Sequence, residues 1–304
     1  MSLRTALRAT LRRNVSLASY CTMQVGGTAN YFSDPATEEE LMELVEFAKQ
    51  ENIPYFILGK GSNVIFPDEG FPGLVISLLR FEQDKILFDE EKHRVLASAG
   101  IFLYRFVLSC RDHLLGGGEF LANIPGTVGG AVMMNAGFSR YPGQKNEIGD
   151  LIEEVHMITT DGVRVTKKRE DLKFEYRKTN LGSGIVLSAL LQLWPRDREA
   201  IQYEIHKNFE YRNKEQDLKS PSSGSIFKNP GEPHPSAGNL IDQLGLKGLK
   251  CGGAMVSMRH GNYIINAEKA KSSDVIQLIR KVQKAVFDAS GIELETEVKI
   301  IEKN

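Results

Sequence analysis

Cysteine is scarce in this chain: Cys21, Cys110 and Cys251 are the only three in 304 residues, and no Cys-x-x-Cys pair occurs. An odd, scattered set argues against a disulfide framework and a zinc site, and suits a reducing compartment. The six histidines are equally dispersed, so no metal is expected. No apolar run approaches the ~20 residues needed to span a bilayer. Excess charge of either sign is also lacking, with 38 basic residues against 39 acidic ones. No bulk field therefore draws the chain to nucleic acid or an anionic membrane, and neither is expected as a partner. A secretory apolar region, an internal repeat and a low-complexity tract are missing too, and the expected location is cytoplasmic.

What is present is the composition of an ordinary globular protein, 41% hydrophobic and 25% charged, long enough for two domains or three small ones. The opening MSLRTALRATLRRNVSLASY has no acid before Asp34, as a transit peptide can. Leu3, Leu7 and Leu11 form a stripe at helical spacing, and a first helix is the preferred reading.

Residues 116–137, GGGEFLANIPGTVGGAVMMNAG, stand out. They are dense in glycine, hold no lysine or arginine, and carry Glu119 as their only formal charge. Glycine costs stability in regular elements, so such density implies unusual backbone angles or a ligand touched by bare main chain. A flexible linker would be richer in serine and charge.

Around this stretch short strands dominate. Thr37 and Glu40 read as the capping box of a helix with Leu41, Leu44, Val45 and Ala48 inside. Tyr55 to Leu58 is a strand feeding Gly59-Lys60-Gly61-Ser62-Asn63, a turn able to cradle an anion or simply to join two strands. Hairpins are expected across residues 85–98 and, around Asp161-Gly162, across 154–166. Residues 101–114 have helical spacing, and 184–193 read as a strand closed by Trp194-Pro195. After Pro195 come a charged helix with Ile201, Ile205 and Phe209 inside, a second from Ala237, and a hairpin of 255–258 with 263–265. A last helix, N-capped by Ser272 or Ser273 and stopped by Gly291, and a strand over 294–301 complete the chain. The pattern is α+β, not doubly wound.

Three places suit chemistry. Ser225, in PSSGSIFKNP, stands beside glycine with Lys228 and Asn229 able to meet an anion and a carbonyl; a plain turn fits equally. Arg177, after Tyr176, could fork onto a carboxylate or make a surface ion pair. In the last strand Glu293, Glu295 and Glu297 share one face, and alternation does not say which acid matters.

Taken together, GKGSNVIF (59–66), GEFLANIPGTVGGAVMMNAG (118–137), FEYRKT (174–179), GSIFKNP (224–230), AGNLIDQLGLKG (237–248), GGA (252–254) and LETEV (294–298) resemble the UDP-N-acetylenolpyruvoylglucosamine reductase family, in its order and over nearly the whole chain. The resemblance implies an α+β fold with an FAD-binding part of the vanillyl-alcohol-oxidase type in two subdomains, 1–66 and 67–195. A UDP-sugar domain would span 196–304, and the protein would act as a monomer. It implies non-covalent FAD held by Gly59, Lys60, Gly61, Ser62 and Asn63 and by Pro125, Gly126, Thr127, Gly129, Gly130, Asn135, Ala136 and Gly137, with NADPH as reductant. Ser225 would protonate C2 of the enolpyruvyl group after hydride reaches C3, Arg177 and Glu297 would stabilise the enolic intermediate, and Tyr176, Lys214, Lys228, Asn229 and Gln243 would contact the UDP-sugar. The chain departs from the family at Asp217, where a proline is usual, at Asn123, where a small residue is usual, and at Cys21 and Met23. It lacks the longer class's insertion before the serine motif. An oxygen-using flavin oxidase and a catalytically dead flavin or nucleotide-sugar sensor are the rival readings. The lack of a histidine or cysteine in the glycine stretch disfavours the first, and the joint presence of Ser225, Arg177 and Glu297 disfavours the second.

Overall fold

The computed structural model describes residues 10–141 and 144–302. The leucine stripe of the expected first helix falls largely outside them, and Arg12–Ser16 form a strand paired antiparallel with Thr28–Ser33. Contacts divide the described chain into two units, and the division does not follow 1–66, 67–195 and 196–304. Ser33–Lys60 and Val75–Tyr211 belong to the first unit; Arg12–Phe32, Gly61–Leu74 and the chain from Arg212 onward belong to the second.

The first unit is built on a five-stranded antiparallel sheet, ordered Arg164–Lys168, Ile152–Ile158, Ile185–Gln192, Arg94–Ser98, Ile86–Asp89. Both expected hairpins are there, with Ile158 facing Arg164 and Asp89 facing Arg94. Ile185–Gln192 is central and reads as the near-continuous apolar run of a strand covered on both faces. The helix Leu103–Asp112 buries Leu103, Phe106, Val107 and Cys110. In the helix Glu38–Gln50, Thr37 Oγ1 accepts from the Glu40 amide at 3.3 Å, and the Glu40 carboxylate reaches one residue further back than a capping box requires, to the Ala36 amide at 2.7 Å.

The second unit holds a four-stranded antiparallel sheet, Ser222–Ser225, Tyr263–Asn266, Ala254–Val256, Lys250–Cys251. The helix Ser272–Ser290 lays Val275, Leu278, Ile279, Val282 and Val286 against its core. Met23, Val25 and Ile65 sit in that same core. The unit takes apolar side chains from the N-terminal segments into its interior, and 12–32 and 61–74 come with them.

The expected serine cap on the last helix is displaced. Lys271 is the N-cap residue, and its amide donates to Asp274 Oδ2 at 2.9 Å. The amides of Ser272 and Ser273 donate instead to Asp68 at 2.7 and 3.1 Å, so a carboxylate from a distant loop caps the helix. Burial works to raise the Asp68 pKa, but the hydrogen bonds from Ser273 and Ser272 prevail and hold it below its ordinary value. A depressed carboxyl stabilises the fold above its unfolded pKa of about 3.9 and loses that contribution as pH falls through the folded one. Asp68→Ala is therefore expected to cost on the order of 1 kcal/mol at pH 7, read from denaturant midpoints, with the difference from wild type shrinking below about pH 4.

Candidate active site

In the second unit one backbone crossing sets the site. Ile226 donates its amide to the Asn262 carbonyl at 2.9 Å, and its own carbonyl accepts from the Glu297 amide at 2.8 Å. Phe227 bridges Thr296, and the Lys228 amide donates to the Glu295 carbonyl at 2.9 Å. Ser225 and Glu297 are thereby brought beside the same peptide unit. Only Lys299–Ile300 of the expected final strand is regular, pairing in parallel with Val64–Ile65, because Ile226 and Lys228 take the Glu297 amide and the Glu295 carbonyl. The expected alternation survives: Leu294 and Val298 are buried, Glu293 and Glu295 are exposed, and Glu297 is half-buried. Glu295 takes the Lys228 ammonium at 2.5 Å. The three acids are thus distinguished by burial and partner, which alternation alone could not do.

Ser225 ends its strand after a register slip relative to Tyr263–Asn266, with Gly224 in the left-handed region at φ +72°. Such an irregularity re-aims a side chain, and glycine is the residue that adopts it without strain. The Ser225 hydroxyl is half-buried and makes no hydrogen bond among the described residues. Its cross-strand neighbour Tyr263 is buried and donates its phenol to Gln216 Oε1 at 2.8 Å, with Arg212 Nε on the same oxygen at 2.5 Å. Burial pushes the Tyr263 phenol pKa up, against the lowering effect of Arg212.

In the first unit Arg177 is half-buried at φ +57°, donates to the Gly137 carbonyl at 3.1 Å and stands 4.0 Å from the Glu147 carboxylate. It also lies over the exposed Tyr176 ring at 4.8 Å. Asn135 donates to the same Glu147 at 2.8 Å and accepts from the Gly149 amide at 3.0 Å, so its side chain is engaged within the protein. These contacts anchor the arginine to the end of the glycine-dense stretch.

The turn at 59–63 is divided between units, Gly59 and Lys60 in the first and Gly61, Ser62 and Asn63 in the second. Asn63 donates to the Glu297 carbonyl at 3.1 Å, fastening the turn to the acid's own peptide. In residues 125–137 the Val128 and Gly129 amides donate to Ile101 and Ala99 at 2.9 and 3.0 Å. A Cβ on Gly129 would come within 2.7 Å of the Ala99 methyl, whereas Gly130 would meet only the Thr127 hydroxyl, at 3.6 Å. Part of the glycine density therefore serves packing within the protein, while Gly130 leaves an exposed helix surface bare of a side chain, its amide donating to Thr127 Oγ1 at 3.4 Å. Pro125, Gly126 and Thr127 lead into the helix Val128–Met133, which Thr127 N-caps, and Ala136 and Gly137 follow it. Two buried Asn123 atoms, Nδ2 and Oδ1, have no hydrogen-bond partner among the described residues, which fits a bound group with polar edges. Of the expected substrate contacts, Lys214 and Gln243 are exposed, and Asn229 caps the helix Ala237–Gln243 through the Ala237 amide at 3.1 Å.

Residues 216–301 match the family described as UDP-N-acetylenolpyruvoylglucosamine reductase, C-terminal domain, and residues 29–167 match an FAD binding domain. A reductase of that name from Syntrophus aciditrophicus is 40% identical over 94% of this chain and 90% of its own length. The Bacillus subtilis one is 36% identical over 96% and 94%. The crystal structure of the Thermus caldophilus enzyme superposes with a TM-score of 0.79 at 36% identity, covering 96% of this chain and 99% of that one. The chain belongs to the UDP-N-acetylenolpyruvoylglucosamine reductase family. It is an FAD-dependent oxidoreductase of the α+β fold expected from its motifs.

Within this reductase the C-terminal match lies wholly in the second unit, whereas the FAD-binding match contributes segments to both. No helix among the described residues is long and apolar enough to cross a membrane, and none of their His, Cys, Asp and Glu side chains cluster in threes to hold a metal. Sequence reasoning missed Asn262. Buried, it accepts from the Phe227 amide at 2.9 Å and donates to the Phe227 carbonyl at 2.8 Å, clamping the segment that carries Ser225. A lone Asn-Gly-like turn signal at His260-Gly261-Asn262 gives no hint of this. Asn262→Ala leaves both Phe227 groups buried and unpaired and is expected to cost about 2–4 kcal/mol in chemical denaturation. A midpoint unchanged from wild type would show that the clamp is dispensable.

Proposed function

We propose that this protein reduces UDP-N-acetyl-enolpyruvoylglucosamine to UDP-N-acetylmuramate, a step of peptidoglycan precursor synthesis, with NADPH as the electron source. The carrying observation is that Ser225, its hydroxyl without a hydrogen bond among the described residues, adjoins Ile226, whose carbonyl accepts the amide of the half-buried Glu297 at 2.8 Å. FAD, which residues 59–63 and 125–137 would hold, would supply the two-electron chemistry that links NADPH oxidation to reduction at C3 of the enolpyruvyl ether. The chain's own groups do the rest. Addition at C3 leaves negative charge on C2 and its carboxylate, and the Arg177 guanidinium stabilises that charge as it builds. Ser225 gives its proton to C2, closing the saturated ether, and regains it from solvent. A hydroxyl is a weak acid, so the donation relies on the strong basicity of C2 at contact distance. Glu297 orients the enolic group as that charge moves. Lys228, Lys214, Tyr176, Asn229 and Gln243 bind the nucleotide-sugar in this reading, and the protein works as a cytoplasmic monomer.

The test separates the two half-reactions by stopped flow. Ser225→Ala is expected to leave reduction of the flavin by NADPH intact while the reoxidation driven by the enolpyruvyl sugar slows by about 10²–10⁴. Fast reoxidation by oxygen with indifference to that sugar would favour a flavin oxidase. Loss at both stages alike would assign Ser225 a structural role.

A further inference from the structure

We propose that Asn123 is a flavin-recognition residue of this protein, its carboxamide hydrogen-bonding the pyrimidine edge of the isoalloxazine ring. The inference rests on FAD being the bound cofactor. Asn123 is 6% exposed and closes the turn Glu119–Asn123, five residues ahead of the helix Val128–Met133. Among the buried polar side chains without a partner in the described residues, it alone has both its nitrogen and its oxygen unsatisfied. The others are the hydroxyls of Ser33, Ser223 and Ser272 and one oxygen of Glu38, whose carboxylate is paired with Arg164 at 2.5 Å.

A hydroxyl can relieve itself by rotating toward nearby main chain. A carboxamide cannot, since it presents two donors and a two-lone-pair acceptor in a fixed plane. Polar neighbours on its own turn are already committed: Glu119 accepts from the Gly117 amide and from Arg196, both at 2.8 Å. Leaving such a group sealed and unpaired is among the more costly things a fold can do, so its partner is expected to come from outside the chain. The chemistry of that partner follows from the orphan pair. A phosphate would satisfy only the donor. An edge carrying N–H beside C=O satisfies donor and acceptor together, and the pyrimidine part of isoalloxazine is such an edge.

Replacement by an apolar side chain should then act in opposite directions on the free and loaded protein. Asn123→Leu removes the orphan without emptying its space and is expected to raise the melting temperature of the apoprotein. The same change is expected to weaken FAD binding about tenfold, by titration followed through flavin fluorescence, and to shift the visible absorbance bands of the flavin that remains bound. Asn123→Ala, which needs no repacking, is expected to weaken binding and shift the bands in the same way. Variants that bind FAD within twofold of wild type with unchanged bands overturn the proposal, as does a loss of affinity without a band shift, which would assign the amide to the adenine end. A wild-type apoprotein that takes up no FAD would instead overturn the cofactor reading on which the proposal stands.

Discussion

The peptide of Ile226 is the joint on which the catalytic half of this reductase depends. Its amide and carbonyl, in successive peptide units, are bonded to two different segments, at Asn262 and at Glu297, and Ile226 itself is fully buried. A buried residue satisfied on both sides has little freedom to slide, because any shift of register would expose or orphan both groups. The residues on its flanks inherit that precision. Ser225 precedes it at the end of a slipped strand, and Glu297 follows from the partner segment. Asn262 repeats the device one residue later by holding both main-chain groups of Phe227. Asn63 extends it to the 59–63 turn by bonding the Glu297 carbonyl. Ser225 and Glu297 are thus positioned by main-chain hydrogen bonds and not by side-chain ion pairs, which at exposed sites hold geometry weakly.

Much of the fold was legible because local rules decided it. Asp161-Gly162 between two β-rich runs could only be a tight hairpin, and Thr37 had a helix to cap immediately after it. Alternation in 294–298 separated Leu294 and Val298, both buried, from the face of the acids. Where local rules failed, a distant group had intervened. Ser272 and Ser273 are good capping residues, yet Asp68, more than two hundred positions away, takes their amides. The strand expected over 294–301 is regular only at its end, since residues 225–228 engage its first half. Distant groups act at a larger scale too: Met23, Val25 and Ile65 are core residues of a unit most of whose chain lies after Arg212.

The candidate site was less legible, and unevenly so. The ordered motifs pointed to Ser225, Arg177 and Glu297, but nothing local distinguished Glu297 from Glu295 until burial and the Lys228 pair did. Glycine density suggested bare backbone facing a ligand. Gly129 is instead required by its contact with Ala99, while Gly130 remains open. Asn123 is visible in sequence only as a polar residue among small and apolar ones, and its unpaired state is a fact of packing that no window of sequence contains.

In the proposed reaction the proton at C2 and the hydride at C3 arrive by separate routes, the first from a solvent-exchanging hydroxyl and the second from NADPH by way of the flavin. The measurement that tests it most directly is a turnover in D₂O, with unlabelled NADPH and the enolpyruvyl UDP-sugar, and the product read by proton NMR. One deuterium at C2 in every product molecule, of a single stereochemistry, is the predicted result. Protium at C2, a racemic centre, or no reduced product at all would contradict it.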